Sequence, residues 1–104
     1  MIARLWRGQT DVSQGDTYLN HVTERVLPKL QHIPGHRGAY VLRRPMGDRT
    51  EFLVMTLWDS LDAVRAFTGD NLEAAVVEPA ARAVLVEFDS FVQHYDVAET
   101  SEGQ

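Results

Sequence analysis

The closing stretch VQHYDV, residues 92 to 97, sets an imidazole beside a phenol, two groups that can exchange a proton with a ligand. His94 titrates near neutral pH and can act as a base there. Only a strand suits this stretch, and neighbours on a strand point to opposite faces, so His94 and Tyr95 cannot work as one dyad. Tyr95 then reads as packing with its hydroxyl satisfied. Tyr18 and His21 lie three residues apart, a helical spacing that lets both flank one opening and bind a ligand. Arg4 shares a strand face with Trp6, and a buried arginine there needs an acid, a carbonyl or an anionic ligand group as partner. Arg43 and Arg82 are weaker versions of the same idea. Each of these residues also has a plain packing alternative. His94 can be a hydrogen-bonded histidine at a strand end, Tyr18 and His21 a helix face covering the sheet edge, and Trp6 and Trp58 simply core.

Other chemistries are excluded more firmly. His94 and Asp96 share a strand face, and His21, His32 and His36 are close in sequence, but two ligands do not make a site. Pro34 and Gly35 also break any helical geometry between His32 and His36, so no metal site is expected. The chain has no GxSxG, phosphate-binding glycine loop or dinucleotide fingerprint, which leaves hydrolase, NTPase and nicotinamide-dependent readings without support. With no cysteine there is neither disulfide nor thiolate. A net charge of -5 argues against nucleic acid. That charge is uneven: residues 1 to 52 carry eight basic and five acidic side chains, the remainder two and ten, a split that can steer an anionic ligand towards the first half. No run is apolar for the roughly 18 residues of a membrane span, and MIARLWRGQT lacks a signal peptide's apolar core, so no membrane association and a cytoplasmic location are expected.

The elements that must hold these residues follow from periodicity. IARLWR reads as a first strand, with Ile2, Arg4 and Trp6 on one face, followed by the polar turn GQTDVSQGD. A helix from about 16 to 32 carries Leu19, Val22, Val26 and Leu30 as its apolar stripe, with Pro28 kinking it and Ile33-Pro34-Gly35 ending it. RGAYVLRR and EFLVMTLW form an antiparallel hairpin around PMGDRT. Ser60 caps a helix with Leu61, Val64 and Phe67 buried and Gly69 as its stop. Asp70 and Glu73 resemble a capping box opening one broken helix, or two short ones, over about 71 to 85. A final strand covers about 87 to 97. The result is an α+β, ferredoxin-like βαββααβ plan in one domain, residues 1–97, with a polar tail at 98–104. On the third strand, Phe52, Val54, Thr56 and Trp58 alternate with Leu53, Met55 and Leu57, so both faces are apolar. Helices can cover one of them; the other is expected to be buried against a second copy in a homodimer.

The strings HIPGHRGAYVLRR, FLVMTLWDSLDAVRAF and FVQHYDV resemble the antibiotic biosynthesis monooxygenase-like group of dimeric α/β-barrel proteins, over residues 2 to 97 and most specifically at LWDSLDAV. The resemblance implies that two sheets close into a barrel and that each subunit keeps a pocket between sheet and helices. It implies, too, a choice among cofactor-free oxidation of aromatic polyketides, quinol oxidation and haem degradation. Trp58 matches the group's pocket tryptophan, whereas Val54 and Val64 replace its pocket asparagine and tyrosine. Haem-degrading members need a strand-one asparagine and a helix-three histidine, and Trp6 or Arg7 and AAVVEP stand in those regions instead, so haem degradation is not implied.

A cofactor-free oxygenase needs a base, a hydrogen-bonding group for the developing oxyanion, and apolar walls. In that scheme His94 is the base, Arg4 and Tyr18 orient substrate oxygens, His21 and Arg82 contribute to binding, and Trp6, Trp58 and Phe67 wall the pocket. The expected activity is a monooxygenase, without cofactor, acting on a small aromatic or quinol-type metabolite. A cyclase or isomerase using the same base without oxygen, and a non-catalytic homodimeric module that binds a small molecule, are the alternatives.

Overall fold

The computed structural model describes residues 1–101 of the chain. Its centre is β1 (Ile2–Asp11), which pairs antiparallel with β3 (Arg49–Trp58) along its whole length, Ile2 opposite Trp58 and Asp11 opposite Arg49. The stretch Gly8 to Asp11, expected as a turn, is thus strand, because β3 pairs with it along one edge and β4 with Gly8 to Thr10 along the other. β2 (His36–Met46) pairs with the other edge of β3 through a two-residue turn at Gly47-Asp48, where Gly47 supplies the positive φ of 61°. The predicted final strand is two pieces, β4 (Leu85–Phe88) and β5 (Gln93–Asp96), which pair in succession with the free edge of β1. The sheet order β2-β3-β1-β4, with all helices on one face, is the ferredoxin-like plan expected.

The first helical run starts with a 3-10 turn (Val12–Gln14) and continues as α1 (Gly15–His21), a π turn (Val22–Val26) and α2 (Leu27–Gln31). Pro28 does not break it. In α geometry its ring would press on the carbonyl four residues back; the π turn, in which Leu27 N–H reaches Val22 O, widens the spiral just ahead of it. The stripe holds, with Val22 and Leu30 buried and Leu19 and Val26 half-buried. Ser60 caps α3 (Leu61–Thr68) by accepting from Ala63 N–H, and Val64 is fully buried, but Leu61 faces solvent rather than the core.

The helix expected over 71 to 85 shrinks to α4 (Pro79–Arg82), and no capping box forms. Residues 70–78 form a strap instead. Ala74 bridges Phe91, Ala75 N–H donates to Ser90 O, and Val92 N–H donates to Glu73 O. Pro79 sits in the first helical turn, as its fixed φ and missing N–H require. Residues 98–101 are exposed and form no regular element; the rest of the expected tail, 102–104, lies outside the described residues.

Gly35, in the turn between the first helical run and β2, has φ 88°, and a Cβ there would stand 2.6 Å from the Cβ of Ala63. A Cβ on Gly47 would meet nothing within 4 Å. Gly35→Ala is therefore expected to cost about 2–4 kcal/mol, backbone strain plus overpacking, and Gly47→Ala about 1–2 kcal/mol, strain alone. Urea denaturation of both variants checks this, and equal losses would contradict the packing argument.

Candidate active site

Between the helix-covered sheet face, the first helical run and the strap lies a cavity of about 70 Å³. Its apolar walls include Trp6, Val22, Val26, Leu30, Val54 and Phe67, and the strap adds Val76 and Val77. Polar groups reach it from three elements: Arg4 and Thr56 from the sheet, Tyr18 and His21 from α1, and Glu78 from the strap's end, where Lys29 holds its carboxylate at 3.2 Å.

Trp6 can lie flat against β1 because Gly8, next on the same face, has no side chain; a Cβ there would come within 2.4 Å of the indole ring. The indole N–H donates to Asp89 O at 3.0 Å, and the ring stacks on Tyr18 at 6.0 Å. Tyr18 is buried and packs on Phe52. Burial pushes its pKa up, so its hydroxyl keeps its proton. One turn on, His21 Nε2 is buried with no hydrogen-bond partner among the described residues.

Arg4 is 5% exposed and has no carboxylate within 4.0 Å among the described residues. Nη1 donates to Leu72 O at 2.7 Å and lies 3.2 Å from His94 Nε2, Nη2 donates to Ala74 O at 2.9 Å, and the Phe67 ring covers the guanidinium at 5.7 Å. Burial lowers its pKa to about 10, which leaves it charged at neutral pH.

The residues singled out from sequence therefore separate. Arg4, Trp6, Tyr18, His21 and Phe67 meet at the cavity. His94 stands opposite Arg4 in the β1–β5 pairing and backs the guanidinium without lining the cavity. Tyr95, opposite Ala3, is on the other sheet face. Trp58 is fully buried one layer behind: it stacks on Phe67 at 6.0 Å and donates its indole N–H to Thr56 Oγ1 at 2.8 Å. Thr56 Oγ1 accepts there, and its own O–H has no acceptor among the described residues. Arg82 lies outside, donating to Val77 O at 3.2 Å over the Phe88 ring, and Arg43 pairs with Asp16 at 3.0 Å. Sequence reasoning passed over Thr56, although its place two residues before Trp58 on one strand face could have marked it. Glu78 and the strap valines were hidden by the helix expected there.

Desolvation, then the Arg4 charge, lowers the pKa of His94, with Glu73 opposing; desolvation also lowers that of His36. Both prefer the neutral imidazole when folded, so the unfolded chain binds more protons as pH falls. The stabilisation is complete above the ordinary value of 6.5 and is lost as pH drops through the lowered folded-state values. The melting temperature should fall as the pH is lowered below about 6.5. His94→Gln, which can still accept from Arg4, should remove His94's share of that slope and leave the His36 share. A flat profile, or a slope untouched by the substitution, would refute the assignment.

No curated protein matches the sequence. Solved structures do match it in shape. A candidate antibiotic biosynthesis monooxygenase from Bacillus cereus superimposes with a TM-score of 0.72 at 14% identity, over 100% of this chain and 97% of that one. The haem degrader MhuD from Mycobacterium tuberculosis gives 0.66 at 17%, over 98% and 100%. SnoaB, a cofactor-independent oxygenase from Streptomyces nogalater, gives 0.64 at 16%, over 95% of each. At such identities the likeness establishes the fold. Residues 1–78 also match the family model described as antibiotic biosynthesis monooxygenase, three quarters of the sequence, and the chain belongs to that family.

Proposed function

We propose that the protein is a cofactor-independent monooxygenase of a small aromatic or quinol-type metabolite, working as a homodimer. One observation carries the reading. An unpartnered imidazole nitrogen, His21 Nε2, and an uncompensated guanidinium, Arg4, belong to the same largely apolar cavity. In the acceptor tautomer His21 removes a proton from the substrate, and Arg4, Thr56 and Tyr18 stabilise the resulting anion. The anion passes one electron to dioxygen. The radical pair closes a C–O bond as a peroxide anion, and the proton held by His21 returns to its distal oxygen. The O–O bond then breaks as the second proton leaves the same carbon for the departing hydroxide. For a substrate CH₂ group this consumes one O₂ and yields a carbonyl and water, with no external reductant.

This reading moves the base from His94 to His21, since His94 Nε2 is already engaged by Arg4. An apolar cavity of about 150 Å³ holds one benzene ring. The present cavity of about 70 Å³ is half that, so the strap must yield for an aromatic substrate to enter. A haem fits it poorly: the space is too small for the ring, and among the described residues Arg4 is the one arginine or lysine on its walls to meet two propionates.

The open sheet face supports the dimer. Tyr40 and Leu42 of β2 lie opposite Met55 and Leu53 of β3, Leu5 of β1 lies beside Met55, and Tyr40, Leu42 and Tyr95 are about half exposed in the single chain. Light scattering should give twice the 11.7 kDa chain mass, and Met55→Glu should lower it to one chain. A monomeric wild type would rule the dimer out.

Metal-stripped protein should take up oxygen with anthrones or hydroquinones. His21→Ala should reduce kcat by about 100-fold or more, and His94→Gln by far less. Turnover without oxygen would establish a cyclase or isomerase instead. Binding without turnover would establish a non-catalytic module, and full activity in His21→Ala would remove His21 as the base.

A further inference from the structure

The hydrogen bonds of Arg4 leave part of the group unused. Of its five N–H donors, the two on Nη1 face Leu72 O and His94 Nε2, and one on Nη2 meets Ala74 O. The donor on Nε and the second on Nη2 have no partner among the described residues. Every partner Arg4 does have is neutral. The cavity's carboxylate, Glu78, is paired with Lys29 and makes no ion pair with Arg4. A desolvated cation with no carboxylate partner is costly, and the two unused donors, on Nε and Nη2, can match the two oxygens of a carboxylate.

We infer that the ligand is an aromatic acid, a phenol or quinol bearing a carboxylate, whose acid group completes the hydrogen bonding of Arg4 while its ring lies between Trp6 and Phe67. The inference rests on the cavity being the substrate site and adds the charge of the substrate. Its geometry is self-consistent. Arg4 and Trp6 are two residues apart on one strand face, and Phe67 already covers the guanidinium, so ring and carboxylate find their partners side by side. His21, across the cavity on α1, is then left for the hydroxyl, with Thr56 and Tyr18 as the hydrogen-bond donors to the anion and Arg4 contributing only its charge there.

Gentisate and its neutral amide, gentisamide, test this without altering the protein. Both are hydroquinones of nearly the same shape. Under anaerobic conditions, tryptophan fluorescence should report gentisate binding about 10–100-fold more tightly than gentisamide, from charge-assisted hydrogen bonds worth about 1.5–3 kcal/mol. The preference should persist from about pH 6 to about pH 8, since Arg4 stays charged throughout. Arg4→Lys should keep part of it and Arg4→Gln abolish it. Equal binding by the wild type, or tighter binding of the amide, would overturn the acid while leaving an aromatic site in place. A preference surviving in folded Arg4→Gln would place the carboxylate elsewhere and overturn the assignment. Binding of neither would overturn the aromatic site itself.

Discussion

A guanidinium cannot be taken out of water without hydrogen-bond partners, and β1 carries one at its buried face. Arg4 meets that constraint with backbone oxygens of the strap, and much of the surrounding irregularity follows. To turn the carbonyls of Leu72 and Ala74 sideways towards the sheet, residues 70–78 cannot be helical, because helical carbonyls point along the axis. Extended, the strap pairs locally with residues 90–92, and this is where the last strand breaks into β4 and β5. The break exposes the Asp89 carbonyl to the Trp6 indole. One buried charge thus accounts for the roof of the cavity and for the anchoring of one wall.

The opposite wall depends on a different constraint. Side chains four residues apart drift around an α-helix, since 3.6 residues make a turn. Tyr18, Val22, Val26 and Leu30 are spaced by four, so a straight α-helix would swing the stripe away from the cavity. The wider π turn at Val22–Val26 offsets that drift and keeps all four on the cavity, with His21 beside them. Pro28, which reads as a helix breaker, is compatible with the run because of the same turn.

Where a segment's local pattern and its burial agree, the sequence was enough. The alternation on β3, the Leu19-to-Leu30 stripe, the Ser60 cap and the Gly69 stop all act within a few residues. The meeting of Arg4, Trp6, Tyr18 and His21 was half visible, since strand and helix spacing pair them two by two but cannot join the pairs. What could not be read was the strap. DNLEAAVVEP has good helix formers and a capping pattern, and it is overruled by a side chain 68 residues away along the chain. His94 is a related case: the cross-strand arginine that engages its nitrogen lies 90 residues earlier. Contacts at such separations leave no periodic trace.

The latch between Arg4 and the strap has one more property. It is written in carbonyl oxygens, which every residue possesses, and the side chains of Val76 and Val77 are not part of it. Substitution along the strap can therefore reshape the chamber while the fastening stays the same. A lineage built on this arrangement can change what it accepts by exchanging a few roof side chains, with the fold, the charge and the closure inherited intact.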